Sequence, residues 1–548
     1  MSGDGYLAGG FREAPRWSTR AGLNLPIMGG SEQAGKQGGS LSRVGCAQVA
    51  EGDNTSDGSE PKRTARLMTW ALILLLVWLP LQTPIAIAVF QYGHSEGLAR
   101  AVLLLKDASV ALLVLLSLAA TWRSLKLRWF DKVAIAYVVV VVIYSTMPWL
   151  LGSNQTITAV ASSARQFALP VEAYALGRLA FLTGADVKFI FKAFVAASAV
   201  VALIGITEYF FLPVTFWSST LDLVTFERVV QDIPGAKNLW DIALLGEYGA
   251  GVGAYPRSIA TFTHPVGAGL YFLLPLGLSV SAWYSGEARG RRLMTAGLVG
   301  LTLLFGLATL VTISRGAWLA AAAIVLMCGY AFHRIRLALL CLAIAGIFIA
   351  GVPPFNDSIT SALNRNDSSV IGHMEAIGRD VEAGIAHVFG LGLGSADRVV
   401  MQGAAPPKPP PGSVVQPTTG SNDAESVGLG ENLYLSVLIS TGPLGALTFV
   451  AWCLGVIVAL LRGARKSPYR WLLIGAAAAL IGALASALTS SALMRFTTAA
   501  SVWLLLGLAT GLVLALSPEA GDPPRLSFRR PRRRGLPLPP DHSESGPA

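Results

Sequence analysis

The chemistry-bearing residues of this chain stand out because they interrupt apolar runs. Ser314-Arg315-Gly316 falls where one hydrophobic stretch hands over to the next. A guanidinium facing the bilayer centre costs roughly 3 kcal/mol or more, so Arg315 marks a membrane boundary or lines a polar cavity that holds an anion. Arg165 in SSARQF, Arg257 in YPRSIATFTHP and Arg379 within residues 368–390 accompany it. An arginine fork matches phosphate oxygens and stays charged when half-buried, so several converging at one level suit a lipid-linked diphosphate. The competing reading is that each one snorkels to headgroups or pairs with a carboxylate.

The second candidate group is Glu431-Asn432, at the entry to the apolar run LYLSVLISTGPLG. Either residue can cap the first N–H groups of a helix there. Glu431 can instead accept a proton from an incoming hydroxyl, acting as a general base. His264, in FTHPVG, can cap backbone or shape a cavity. His373 is a candidate substrate-binding residue, as is Asn432, and His373 and His387 are too far apart along one helix to hold a single metal. The four cysteines contain no CxxC pair, and no metal site or cofactor is expected. Lys106 and Asp107, in LLLKDASV, are functional suspects because they lie inside an apolar run, and they keep a transporter or flippase reading open.

The elements that must position these residues are membrane helices. Of 548 residues, 53% are hydrophobic and 14% charged, and mean hydropathy is +0.56. A soluble protein of this length needs far more charge to cover its surface. Apolar segments predict about twelve spans, near 67–90, 98–121, 133–151, 165–183, 187–212, 259–284, 293–312, 315–333, 335–352, 432–460, 469–490 and 494–516. The fold class is all-α and polytopic, with a large loop before the last three spans. Residues 1–66 read as a disordered basic tail, 67–517 as the transmembrane catalytic domain, and 518–548, containing RRPRRR, as a Pro/Arg-rich tail. No cleavable signal peptide is expected, the first span serving as the targeting signal.

Charge fixes the expected orientation. Arg123/Lys126/Arg128/Lys132, Arg289/Arg291/Arg292, Arg334/Arg336 and Arg462/Arg465/Lys466/Arg470 fall in alternate loops, which places them and both termini in the cytoplasm. The loops 213–258 and 353–431, richer in acids than bases, then lie outside. The net charge of +10 is thereby mostly topology, and the tails lack the aromatic interleaving of a nucleic-acid binder. Within the long outer loop, Met374, Ile377, Val381, Ile385 and Val388 recur at helical spacing, while Glu375, Arg379 and Glu382 share another face. This predicts an amphipathic helix resting on the membrane surface or covering a cavity. Gly390, Gly392 and Gly394 follow it and permit sharp turns.

The SRG motif at 314–316, the Arg257-to-Pro265 segment, Arg379 followed by Gly392-Leu393-Gly394, and ENLYL…STGPLG, in this order and over residues 160–515, resemble the O-antigen ligase and polymerase family. The resemblance implies a bacterial inner-membrane glycosyltransferase of O-antigen or exopolysaccharide biosynthesis. It implies an undecaprenyl-diphosphate-linked glycan as donor and a glycan, lipid or protein as acceptor, with neither metal nor nucleotide sugar. By resemblance, Arg315 and Arg379 hold the diphosphate, and Arg257 and Arg165 are weaker matches. The sequence departs from the family where Glu431-Asn432 replaces the usual His-Asn. A carboxylate can still take a proton, but the imidazole is gone.

Overall fold

The computed structural model describes residues 60–150, 157–213, 216, 223–230, 257–286, 290–363, 368–393, 432–490, 492–495 and 497–515. Every regular element among them is helical. In chain order these are α1 (Glu60–Gly93), α2 (Glu96–Thr121), α3 (Trp129–Leu150), α4 (Ile157–Leu182), α5 (Val187–Phe211) and α6 (Leu223–Val230). Next come α7 (Pro265–Ser285), α8 (Arg292–Val311), α9 (Arg315–Ala331), α10 (Ile335–Gly351), α11 (Pro353–Leu363) and α12 (Ser368–Ala386). The last described elements are α13 (Leu433–Ala464), α14 (Arg470–Ser486), α15 (Ala492–Arg495) and α16 (Thr497–Ala515).

Eight of these are long and apolar enough to cross a bilayer: α1, α2, α3, α5, α7, α8, α13 and α16. A ninth crossing arises if α10 and α11, bent by 93° at their junction, form one broken span. The twelve expected segments all coincide with helices. However, α9 and α14 are shorter, and α4 carries Arg165, Glu172 and Arg178. The segment expected at 165–183 starts earlier, at Ile157, so Arg165 stands two turns inside α4 rather than at its mouth.

Lipid chains are as apolar as leucine, so the bundle cannot be assembled by burying hydrophobic surface alone. Small residues that let backbones approach do that work. Gly507 and Gly511, one turn apart on α16, meet α4 at the Tyr174 carbonyl and the Phe181 ring, while Gly177 of α4 meets the Leu504 carbonyl. On α7 and α14, Gly277 and Gly475 oppose one another, a Cβ on either standing 2.7–2.8 Å from the other's carbonyl oxygen. Gly482 brings α14 against the Ala320 carbonyl of α9 in the same way. These contacts make α7, α14 and α16 the centre of the bundle, and α2, α8 and α10 its lipid-facing rim. An aromatic column fills the core between α3, α4, α13 and α16, with Trp452 stacked on Trp503 at 4.2 Å and flanked by Tyr137 and Tyr174.

One end of the bundle gathers basic residues. Arg470 donates to the Ala331 carbonyl and lies over the Phe332 ring, capping α9, and Lys188 stands over Tyr469. The Asp186 N–H donates to Thr69, tying the start of α5 to α1. Beneath this end lies a buried network in which Asp131 accepts from Arg178 (Nη2, 3.3 Å), from Tyr174 (3.0 Å) and from the Arg128 N–H.

Candidate functional site

Helices α7, α9 and α13 all begin at the end opposite Arg470, and α8 and α14 finish there. The turn joining α8 to α9 is the hub. Ile313 adopts φ 46°, a left-handed conformation disfavoured for a β-branched residue, so something must hold it. The holder is the segment 257–260. The Ser258 N–H donates to the Val311 carbonyl, while Arg257 sends Nε to the Thr312 carbonyl and Nη2 to that of Ile313, both at 3.2 Å. A guanidinium fork on carbonyls at the end of α8 is also favoured by that helix's dipole.

The segment 257–260 is itself anchored by Glu208, a buried carboxylate near the end of α5. It accepts from Ser258 Oγ (2.9 Å), from the Ile259 N–H (3.1 Å to Oε2) and from the Ala260 N–H (2.7 Å). Ala260 is left-handed too, at φ 53°. Gly205, one turn before Glu208, leaves the room: a Cβ there would stand 2.9 Å from Ser258 Oγ. Glu208 is absent from the residues picked out by sequence. Its signal was an acidic residue inside the apolar run ALIGITEYFF, the same criterion that singled out Lys106 and Asp107.

Arg315 opens α9 at this turn, half-buried, with Nη1 donating to the Ser358 carbonyl at 3.2 Å. Ser358 belongs to α11, which folds back from α10 across this end of the bundle. Phe355 latches α11 in place, stacked on Tyr209 at 6.3 Å and edge-on to Trp318 at 5.8 Å. The expectation for 353–431 was a loop with one amphipathic helix, so α11 is an additional element.

The remaining candidates join through Gly316. A Cβ at Gly316 would stand 2.6 Å from Thr489 Oγ1 and 3.0 Å from Ser486 Oγ, which seats the SRG motif on the end of α14. The start of α13 docks on that same turn. Asn432 Nδ2 donates to the Leu488 carbonyl, the Leu433 N–H to that of Ala487 and the Tyr434 hydroxyl to that of Leu484. Asn432 also caps α13, its Oδ1 accepting from the Tyr434 and Leu435 N–H groups. His264 caps α7, with Nδ1 accepting from the Val266 N–H at 3.2 Å. Arg257, Arg315 and Asn432 are thus linked through the turn at 312–316 and the end of α14, and His264 starts α7 at the same end, where Gly269 meets Ala317 and Thr312. Glu431 lies outside the described residues, as do the side chains of Arg379 and His373, although α12, which carries both, packs on α13 through Gly384 and Leu438.

Arg165 does not join them. Its Nη1 pairs with Asp107 Oδ2 at 3.1 Å, and Lys106 reaches the same oxygen at 3.5 Å. The carboxylate-paired reading holds for Arg165, because α4 places it two turns deep, opposite α2. On α12 the stripe Met374, Val381 and Ile385 is exposed, and Asp380 is buried on the other side. The apolar face thus points away from the bundle, as a helix lying on a membrane surface requires.

The glycine-rich element after α12 is an anchor. Gly390 and Gly392 take φ 81° and 83°, and the chain between them enters a break in α13. At that break Gly442 has φ 62° and ψ −175°, followed by Pro443. The Leu391 N–H donates to the Ile439 carbonyl, the Leu393 N–H to that of Tyr144, and the Tyr144 hydroxyl to that of Phe389. Irregular backbone at membrane depth is tolerated only when satisfied in this way.

No protein-family model matches the chain, and no curated protein matches it.

Proposed function

We propose that the chain is a membrane glycosyltransferase of the O-antigen ligase and polymerase type, which transfers or polymerises glycan from a polyprenyl-diphosphate-linked donor. The observation that carries this reading is the convergence of Arg257, Arg315 and the Asn432 element on one end of the bundle, around two strained turns. Strain held in place by a dedicated carboxylate and a guanidinium fork is characteristic of sites that fix a charged group in advance. In this reading α4, α9 and α14 also cross the membrane, giving twelve spans with the broken α10–α11 pair. The end rich in basic residues faces the cytoplasm, and the arginine site faces the periplasm of a bacterial inner membrane.

The roles divide by position. Arg315 stabilises negative charge on the diphosphate as the glycosidic–phosphate bond breaks, with Arg379 assisting from α12. Arg257 sets the turn that aims Arg315. Glu431, one residue ahead of the docked Asn432, takes the proton from the acceptor hydroxyl as that oxygen attacks the anomeric carbon from the opposite face. Arg315→Lys keeps the charge but loses the planar fork. Both Arg315→Ala and Arg315→Lys should shorten or abolish the polysaccharide ladder in cells while the protein inserts at normal abundance. A normal ladder from Arg315→Ala would defeat the assignment.

A further inference from the structure

The polar seam between α2 and α4 is not used by the site described above. We propose that it binds the phosphate of a phospholipid, held between Lys106 and Arg165. The two cations share a single oxygen, Asp107 Oδ2, at 3.5 and 3.1 Å. Lys106 also donates to the Leu103 carbonyl at 2.9 Å. Arg165 makes one ion pair through Nη1, and its side chain is 43% exposed. Its fork has five N–H donors, of which that pair uses one. Arg165 is the most exposed of the three groups, so the charge at the surface of the seam is its guanidinium. Glu172, two turns further along α4 and about 10 Å deeper by helical rise, acts on Asp107 from the buried side of the seam.

Depth decides what can meet that charge. Exposed Trp129 and Trp149 lie at the two ends of α3, about 30 Å apart by helical rise, which matches the hydrocarbon thickness of a bilayer. Exposed Trp122 marks the same boundary as Trp129 at the end of α2. Lys106 is about 24 Å from Trp122 by rise, leaving about 6 Å to the far boundary, a span that Lys and Arg side chains bridge by snorkelling. Helix α2 is the most lipid-exposed of the long helices, so the seam opens sideways to lipid rather than to a central cavity. An outward guanidinium just below headgroup level is matched by a phosphodiester drawn down to it.

The test is native mass spectrometry of the purified full-length protein with phosphatidylglycerol, phosphatidylcholine or a polyprenyl phosphate added to the micelle. Wild type should retain one phosphatidylglycerol, and Arg165→Gln should hold it roughly tenfold more weakly, the loss of one charge-assisted contact. Asp107→Asn is the sharper variant. It removes the competing carboxylate and should tighten retention, whereas a cluster that only staples α2 to α4 would lose stability and gain no lipid. Retention of phosphatidylcholine equal to phosphatidylglycerol in wild type, retention of the polyprenyl phosphate alone, or weaker retention in Asp107→Asn would each overturn the proposal. The measurement involves no glycan transfer, so its result stands apart from the proposed activity.

Discussion

Removing the Glu208 carboxylate should release the segment that positions Arg315. In Glu208→Ala three buried donors lose their acceptor: Ser258 Oγ and the Ile259 and Ala260 N–H groups. Each orphaned buried donor costs about 1–3 kcal/mol, and hydrogen bonds to a charged acceptor are the stronger kind. With partial relaxation we expect a local loss of about 3 kcal/mol, concentrated in residues 257–260 because the rest of α5 packs independently against α1 and α8. The readout is amide hydrogen exchange of peptides covering 257–264 and 311–316 in the purified protein. If opening is local, about 3 kcal/mol corresponds to a rise in exchange of roughly 100-fold at Ile259 and Ala260. A smaller rise should appear at Ile313, whose turn leans on this segment through Arg257. Glu208→Gln keeps one acceptor oxygen but turns an NH₂ toward the backbone donors, so its effect should be intermediate. Wild-type protection of both peptides in a correctly inserted Glu208→Ala protein would refute the chain of support from α5 to Arg315.

Two further predictions concern the bundle. Gly507→Ala places a methyl group against the Tyr174 carbonyl of α4 and should abolish monodisperse protein on gel filtration, whereas Gly297→Ala, which meets open space on lipid-facing α8, should be silent. Asp131→Asn strips the buried Arg178 of its counter-charge, and breaking such a pair one-sidedly costs about 3–5 kcal/mol; a thermal scan in detergent should show a large loss, and the double variant Asp131→Asn/Arg178→Met should recover part of it.

Hydropathy located the helices well because lipid exposure is a property of each segment alone. It could not show how the segments pair, since that depends on backbone approach at glycines such as Gly177, Gly277 and Gly507, which add little to an apolar average. The break in α13 had a visible cause in Gly442-Pro443, yet the surrounding apolar run reads as one continuous span. At the site, motif order points to Arg257, Arg315 and Asn432 but not to the carbonyls of Thr312, Ile313 and Leu488 that they meet, which belong to other segments. Arg165 lies eight residues inside α4 and pairs with Asp107 of α2, a partner that the hydropathy of one segment does not reveal. Glu208 is visible as an acid inside an apolar run, but its partners, Ser258 Oγ and the Ile259 and Ala260 N–H groups, lie about fifty residues away and leave no trace in local composition.

In the proposed function a glycan leaves its polyprenyl diphosphate at the Arg315 site. That step is tested most directly by reconstituting the purified protein in liposomes with a lipid-linked glycan and candidate acceptors, with no ion gradient imposed. Wild type should release polyprenyl diphosphate and yield either longer lipid-linked chains or sugar on a separate acceptor, and Arg315→Lys should do so far more slowly. Glycan that crosses the bilayer still attached to its original lipid, with no new glycosidic bond in any acceptor, would contradict the account.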